Sequence, residues 1–171
     1  MTLGAINALP DDMAARAFLR CCGSSRWARR MAALRPFASA EAMAATADAA
    51  WSRLDRVDWL EAFAAHPRIG QTCAGGARGS GWSDQEQAGV GGAAEQTRRR
   101  LADANGDYEA RFGYIFVVCA AEKTAEDMLA LLEGRLRHDA DEELRIAAEE
   151  QRKITRLRLG KLVEEEPDTT S

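Results

Sequence analysis

The chain has 171 residues, of which 46% are hydrophobic, 29% charged and 6% aromatic, and its formal net charge is -4. This length accommodates one domain with a substantial core but not two, and the composition is ordinary for a globular protein. The negative charge argues against general binding to nucleic acid or to an anionic membrane, and no apolar run approaches the roughly 20 residues that span a bilayer.

The first 36 residues predict two helices. Pro10-Asp11-Asp12 opens the first helix, which stops at Gly23. Ser24-Ser25 caps the second helix, which ends before Pro36 because the residue that precedes a proline is disfavoured in the helical conformation. Many alanines with few β-branched residues favour helices over sheets in the chain as a whole.

Two more helices follow before the chain changes character. Ser39 starts the third helix, whose apolar stripe is formed by Met43, Ala47, Ala50 and Leu54. The fourth helix terminates at His66-Pro67 and carries the apolar residues Trp59, Leu60, Phe63 and Ala64.

The middle of the chain is rich in glycine. Gly70 to Gly81 contains five glycines and no strong apolar periodicity, which predicts a loop. Ser83-Asp84-Gln85-Glu86 restarts a helix that three glycines weaken, and a better helix then runs to about Asn105. A short helical turn is predicted from Asn105 to Phe112. Tyr114 to Ala120 has strand character, but no second such run exists to pair with it, so we interpret it as a buried extended stretch or the start of a helix.

The last third of the chain predicts two helices. Thr124-Ala125-Glu126-Asp127 begins one, whose apolar residues are Met128, Leu131, Leu132 and Leu136. The other runs from about Asp139 to Leu159, with Gly160 as its C-terminal stop. These elements predict an all-α, single-domain helical bundle of about seven to nine helices without a substantial sheet. The domain covers residues 1–163, and an acidic, disordered tail covers 164–171.

Cysteine spacing and the chain ends indicate a cytoplasmic protein without a metal site. The four cysteines, none of them in a C-x-x-C pair, are Cys21, Cys22, Cys73 and Cys119. With only two histidines, neither at ligand spacing from a cysteine, a zinc site is not expected, and the thiols are interpreted as small buried hydrophobic groups. The N-terminus lacks the pattern of a secretion signal, and the C-terminus lacks a peroxisomal address.

His66 is the first candidate for chemistry, because imidazole transfers protons near neutral pH and histidine is scarce in this chain. It ends an apolar helix, is followed by the rigid Pro67, and lies immediately before the glycine-rich segment. The alternative interpretation is a helix-end histidine that interacts with the helix dipole.

Two further groups suggest a binding site. Ser83 and Glu86 form an S-x-x-E capping box, which also places oriented polar groups at a helix N-terminus, where an anion or a urea-like amide binds well. Arg158 continues the inward-facing stripe of the last helix, where a guanidinium needs an anionic or acceptor partner. The other residues of this stripe are Leu144, Ala147, Ala148, Gln151 and Ile154. The alternatives are a purely structural cap and an arginine at the rim that extends to water.

In combination these residues resemble the 2-oxo-4-hydroxy-4-carboxy-5-ureidoimidazoline (OHCU) decarboxylase family, from about Ile6 to Leu159. The motifs that carry the resemblance include His66-Pro67-Arg68-Ile69-Gly70, Ser83 with Glu86-Gln87, Asn105 with Tyr108, Phe112-Gly113-Tyr114-Ile115-Phe116, and Arg158-Leu159. One departure is His138, where the family commonly has asparagine, and the segment after Gly70 also looks individual.

The resemblance implies an all-α homodimer that needs no metal or organic cofactor and forms (S)-allantoin and carbon dioxide from a ureidoimidazoline late in urate breakdown. It implies that His66, Glu86 and Arg158 are catalytic. The residues that it implies for substrate binding are Pro67, Ser83, Gln87, Val118, Cys119 and Ala120, the last three through main-chain groups. A 5-hydroxyisourate hydrolase is the expected pathway neighbour.

The hypothesis for His66 is that it acts as the general acid and base and protonates one face of the ring. Two other functions remain open at this point. One is a different small-ureide lyase or hydrolase that uses the same pocket. The other is a non-catalytic helical interaction module, in which the histidine motif is only a helix stop and S-x-x-E only a cap.

Overall fold

The computed structural model describes residues 1–69 and 95–164, with the backbone alone for Glu164. Within these residues the chain forms eight α-helices and no strand. The helices are α1 (Leu3–Ala8), α2 (Asp11–Cys22), α3 (Ser25–Ala33), α4 (Ala40–Trp51), α5 (Arg56–Ala64), α6 (Glu95–Phe112), α7 (Ala125–Arg135) and α8 (Ala140–Glu164). The predicted all-helical fold is confirmed. The predicted loop from Gly70 to Gly81 and the tail beyond Glu164 lie outside the described residues.

Helix boundaries with local capping chemistry agree with the prediction. The side-chain oxygens of Ser24, Ser39 and Thr124 each accept a hydrogen bond from a backbone N–H in the first turn, at 3.1–3.3 Å. The Asp127 carboxylate also accepts from the Thr124 N–H at 2.9 Å, which completes a capping box. Gly23 ends α2 with φ 86°, a left-handed conformation that favours glycine.

Three predictions of helix bounds were wrong. The helix α1 was not expected, and Asn105 to Phe112 is the second half of the continuous helix α6 rather than a separate turn. The third error is Gly160, which does not stop the last helix. The helix α8 continues because Leu159 and Leu162, on either side of this glycine, are both buried.

The described residues form two compact units, and the predicted single domain over 1–163 stays a prediction. The N-terminal unit comprises Met1–Ala62 and the described residues from Arg152 onward. At its core the rings of Trp27 and Phe37 each meet Phe18 edge to face, with centroids 6.1 Å apart. The Trp27 indole N–H donates to the Ala47 carbonyl at 3.1 Å, so a polar atom of this buried ring has a partner.

The central unit comprises the described residues of Phe63–Gln151. Its aromatic core is formed by the rings of Phe63, Tyr108, Phe112, Tyr114 and Phe116, whose neighbouring centroids lie 4.7–6.2 Å apart. The predicted extended stretch is confirmed, because residues 115–120 are neither helix nor strand and residues 116–119 are buried.

A buried arginine holds this extended stretch in the absence of a sheet partner among the described residues. The Arg135 guanidinium donates to the Val117 carbonyl at 2.7 Å and to the carboxylate of Glu143, which is fully buried. The same carboxylate accepts from the Tyr108 hydroxyl and lies 2.9 Å from Nδ1 of His138. Burial and the adjacent carboxylate of Glu143 raise the pKa of Tyr108, against the Arg135 charge, so the phenol stays protonated.

Candidate active site

His66 lies two residues beyond the end of α5, in the central unit. Its backbone N–H donates to the Phe63 carbonyl at 3.1 Å, which continues the helical path for one more turn. The half-buried imidazole reaches α8, where Nε2 lies 2.6 Å from Oε1 of Gln151. An amide oxygen only accepts hydrogen bonds, so this contact is a hydrogen bond in the ring form that has a proton on Nε2.

The residues after His66 are held by α6. The Arg68 guanidinium binds both carboxylate oxygens of Glu109, with Nη2 2.6 Å from Oε2. These bonds and the charge of Arg68 hold the pKa of Glu109 below its usual range. The carbonyl of the buried Ile69 accepts from Nδ2 of Asn105 at 3.2 Å. Two side chains of α6 therefore hold the two residues that follow Pro67, Arg68 and Ile69.

Cys119 of the extended stretch is one of the predicted binding residues, and both of its backbone groups form hydrogen bonds within the protein. The Cys119 N–H donates to Oε2 of Glu150 at 2.7 Å, and the Cys119 carbonyl accepts from Nζ of Lys123 at 2.8 Å. Val118 is buried and Ala120 is half-buried. Main-chain contacts between Val118–Ala120 and a ligand stay a prediction.

Arg158 lies in α8, in the part that belongs to the N-terminal unit. Only 5% of its surface is exposed, so the predicted inward orientation is confirmed and a solvated position at the rim is excluded. The other residues of the predicted stripe, all buried, are Leu144, Ala147, Ala148, Gln151 and Ile154. Seven residues are nearly two helical turns, so Gln151 and Arg158 lie on one face of α8.

Two buried thiols, those of Cys21 and Cys22, lie within reach of the charge of Arg158. Burial raises the pKa of Cys21 and of Cys22 to about 12, and the positive charge of Arg158 opposes this rise in both. Cys22 also interacts with the Thr155 hydroxyl, one turn before the arginine. The two cysteines are thus protonated, buried groups, as the sequence predicts.

Comparison with known proteins identifies the family. The sequence model of OHCU decarboxylase matches residues 7–160. The chain belongs to the OHCU decarboxylase family. The match confirms the family expected from the sequence.

The chain covers very different shares of the relatives that it matches. The chain is 29% identical over 161 residues to the 2-oxo-4-hydroxy-4-carboxy-5-ureidoimidazoline decarboxylase of Haloferax volcanii, which covers 94% of this chain and 95% of that protein. It is 40% identical over 147 residues to the uric acid degradation bifunctional protein TTL of Arabidopsis thaliana, which covers 83% of this chain. The chain spans only 45% of that bifunctional protein.

Solved structures agree with the helical fold. A crystal structure of OHCU decarboxylase in the presence of (S)-allantoin has 34% sequence identity and a TM-score of 0.78, covering 92% of this chain and all of that one. A crystal structure of (S)-allantoin synthase has 20% identity and a TM-score of 0.71, covering 96% of this chain and 55% of that one. At that lower identity the likeness shows the fold alone.

Three of the residues that the family resemblance implies, Ser83, Glu86 and Gln87, lie outside the described residues. Pro67 is half-buried beside His66. The residue that sequence reasoning missed is Gln151, which was noted only as a member of the inward stripe. Its signal was available, since a polar amide on an otherwise apolar face of a helix needs a specific partner.

Proposed function

We propose that this protein decarboxylates 2-oxo-4-hydroxy-4-carboxy-5-ureidoimidazoline to (S)-allantoin and carbon dioxide, with His66 as the group that moves the proton. The observation that carries the proposal is the family match over residues 7–160. It is supported by a 34% identical structural relative that was crystallised in the presence of (S)-allantoin.

The chemistry of this substrate supplies its own electron acceptor. The bond between the ring carbon and the carboxylate breaks, and its electron pair forms a double bond to the neighbouring ring carbon. The electron pair of the adjacent carbon–nitrogen double bond moves to nitrogen, which takes up a proton, and carbon dioxide leaves. The resulting enol then loses its hydroxyl proton while the neighbouring ring carbon gains one. In the net reaction one proton replaces carbon dioxide.

The protein has to orient the substrate, exclude water and deliver the last proton to one face of the ring. We assign proton transfer to His66, whose ring is held by Gln151 at 2.6 Å. Arg158 is proposed to bind an anionic or carbonyl oxygen of the substrate, because a buried guanidinium is a strong donor to such groups.

The remaining binding roles rest on the family resemblance. We propose that Glu86 accepts hydrogen bonds from the ureido nitrogens of the substrate. The residues proposed to line the site beside it are Pro67, Ser83, Gln87 and the main-chain groups of Val118, Cys119 and Ala120.

The test generates the unstable substrate in place from urate and follows optical rotation together with release of labelled carbon dioxide from the carboxylate. We expect the wild type to form the S product faster than spontaneous decay, and His66→Asn to lose this acceleration. His138→Asn is the matched control, since it changes the other histidine of the chain and should keep the parental rate. If His66→Asn still forms (S)-allantoin at the parental rate, the proposed role of His66 is wrong.

We further propose a cytoplasmic homodimer that works without a metal or organic cofactor and acts after a 5-hydroxyisourate hydrolase. Cofactor independence is supported by the substrate's own electron acceptor, and the other points by the family resemblance. Unchanged activity after dialysis against a chelator and a dimer mass in light scattering are the expected results. Within residues 1–69 and 95–164, none of the helices is both long and apolar enough to cross a membrane.

A further inference from the structure

We infer that Gln151 is a positioning residue for His66: its side-chain oxygen holds the imidazole in the form protonated at Nε2, which leaves the lone pair for proton transfer at Nδ1. The significance of this contact for catalysis rests on the proposed function. The contact itself is a property of the folded chain, and it joins residues that are 85 positions apart in sequence.

The burial of Gln151 makes this contact specific. The side chain is completely buried, on a stripe of α8 whose neighbours Ala147, Ala148 and Ile154 are apolar. A buried amide without partners costs free energy, so the fold retains this residue only if its polar atoms are satisfied. The distance of 2.6 Å to Nε2 of His66 identifies the imidazole as one partner of the amide oxygen.

The direction of the hydrogen bond determines the state of the ring. An amide oxygen accepts and never donates, so Nε2 must carry the hydrogen whether the imidazole is neutral or protonated. In the neutral ring the remaining lone pair is then on Nδ1. Nδ1 is therefore the atom that accepts a proton from the substrate hydroxyl and later returns one to the ring carbon.

An amide in this position differs from the carboxylate that orients histidine in many enzymes. A carboxylate would stabilise the imidazolium and raise the pKa of His66, whereas a neutral amide orients the ring without adding charge. Among the described residues, Arg68 binds Glu109 of α6, and Glu150 of α8 accepts a hydrogen bond from the Cys119 N–H. A group that must both accept and return a proton benefits from a pKa close to neutral.

The chain on the other side of the ring is fixed independently of Gln151. Asn105 of α6 binds the Ile69 carbonyl, and Glu109 of the same helix binds the Arg68 guanidinium. These contacts hold the backbone of the histidine segment, while Gln151 holds the ring. Loss of Gln151 should therefore remove this restraint on the imidazole without displacing the segment.

The first test is NMR on wild-type protein labelled with ¹⁵N-histidine. With two histidines in the chain, His138→Asn assigns the spectrum by difference. We expect neutral His66 to carry its proton on Nε2, with that proton slow to exchange with solvent, and Gln151→Met to abolish the slow exchange. A neutral His66 protonated at Nδ1, or the same slow exchange in Gln151→Met, would overturn the inference.

The second test uses kinetics. Gln151→Met should lower kcat on the order of 10- to 100-fold, as loss of an orienting partner does, with a much smaller change in KM. Gln151→Glu should raise the pKa of His66, moving the acid limb of kcat/KM upward by about 1 to 3 pH units. Tyr108→Phe is the control, because it removes a buried hydrogen bond to Glu143 elsewhere in the central unit and should leave the pH profile unchanged. Equal pH profiles in Gln151→Glu and the wild type would contradict the positioning role.

The outcomes separate this inference from the proposed function. A wild type with the slowly exchanging Nε2 proton but no decarboxylase activity refutes the proposed function and leaves the contact established. An active wild type whose neutral His66 is protonated at Nδ1 refutes the positioning role alone.

Discussion

Replacing Arg135 with methionine tests how the extended stretch of the central unit is stabilised. The guanidinium places Nε 2.7 Å and Nη2 2.5 Å from Oε1 of Glu143, and Nη1 2.7 Å from the Val117 carbonyl. The exposed side-chain fractions of this pair are 7% for Arg135 and 0% for Glu143. The Arg135 guanidinium also lies 4.6 Å from the ring centroid of Phe116. This one side chain therefore connects α7, α8 and the extended stretch.

The expected loss of stability follows from what remains after the substitution. Methionine fills similar volume but leaves the carboxylate of Glu143 buried without its cation, and breaking a buried pair from one side costs about 3–5 kcal/mol. Glu143 keeps the Tyr108 hydroxyl and Nδ1 of His138 as partners, which favours the lower end of this range. A loss of about 3 kcal/mol lowers Tm by about 6–12 °C in a chain of this size.

The assay is urea unfolding followed by circular dichroism, with Tm from calorimetry. Arg100→Met is the matched control: Arg100 pairs with Glu133 at a similar distance, 2.6 Å, but their exposed side-chain fractions are 59% and 44%. It should lose less than about 1 kcal/mol. Adding Glu143→Leu to Arg135→Met should restore part of the stability, because no buried charge then remains unpaired. If Arg135→Met destabilises no more than Arg100→Met, the argument from burial is refuted.

Three further predictions address the proposed site, a helix cap and the buried thiols. Arg158→Gln should lower kcat/KM about 10- to 100-fold in a steady-state assay, because it removes a charged hydrogen bond to the substrate. The control is Arg156→Gln, at an exposed arginine that binds Asp48, which should match the wild type. Thr124→Ala should lower the free energy of unfolding, measured in urea, by about 1 kcal/mol because α7 loses its N-terminal cap. The control Thr46→Ala removes a hydrogen bond to a carbonyl within α4 and should not lower the free energy of unfolding. Because burial raises the pKa of Cys21 and Cys22 from 9.0 to about 12, their contribution to stability is complete below pH 9.0 and is lost as the pH rises toward 12. Mass spectrometry should find neither thiol alkylated by iodoacetamide at about pH 8.5 until urea unfolds the protein, and labelling of the native state would contradict their burial.

Three helix starts were predictable from a single side chain that caps the first turn. Ser24, Ser39 and Thr124 each bond a backbone N–H three residues away, so the whole determinant lies in four consecutive residues. The end of α2 at Gly23 is also determined locally, because its left-handed conformation favours glycine. Such boundaries need no knowledge of the tertiary structure.

Other boundaries depend on contacts that are distant in sequence. The short helix α1 was missed although the Thr2 side chain caps its first turn, accepting from the Ala5 N–H at 3.1 Å. Its carboxyl end is held by Arg35, whose Nη1 donates to the carbonyls of Ile6 and Leu9 at 2.8 and 2.6 Å. Within the continuous helix α6, the side chain of Asn105 bonds the carbonyl of Leu101 and, 36 positions away in sequence, that of Ile69. Neither contact leaves a periodic pattern in the residues concerned, so propensity and spacing alone place these ends incorrectly.

The residues of the candidate site also differ in whether local sequence predicts them. His66 and Arg158 were identifiable because a scarce histidine before a glycine-rich segment, and an arginine on an apolar stripe, are unusual in themselves. The contact between His66 and Gln151 was not identifiable, because nothing in either local segment specifies the other. Family resemblance supplied the roles, while the structure supplied the partner of the imidazole.

The uninterrupted course of α8 restricts which changes in chain length the protein tolerates. Each residue added to or removed from an α-helix turns everything beyond it by about 100° and shifts it by about 1.5 Å. A single insertion or deletion between Gln151 and Arg158 would therefore carry the arginine off the buried face and bring a different side chain, such as Leu157 or Leu159, to its place. Insertions between α7 and α8 leave the spacing of Gln151 and Arg158 intact, so length variation is expected there and excluded within the helix.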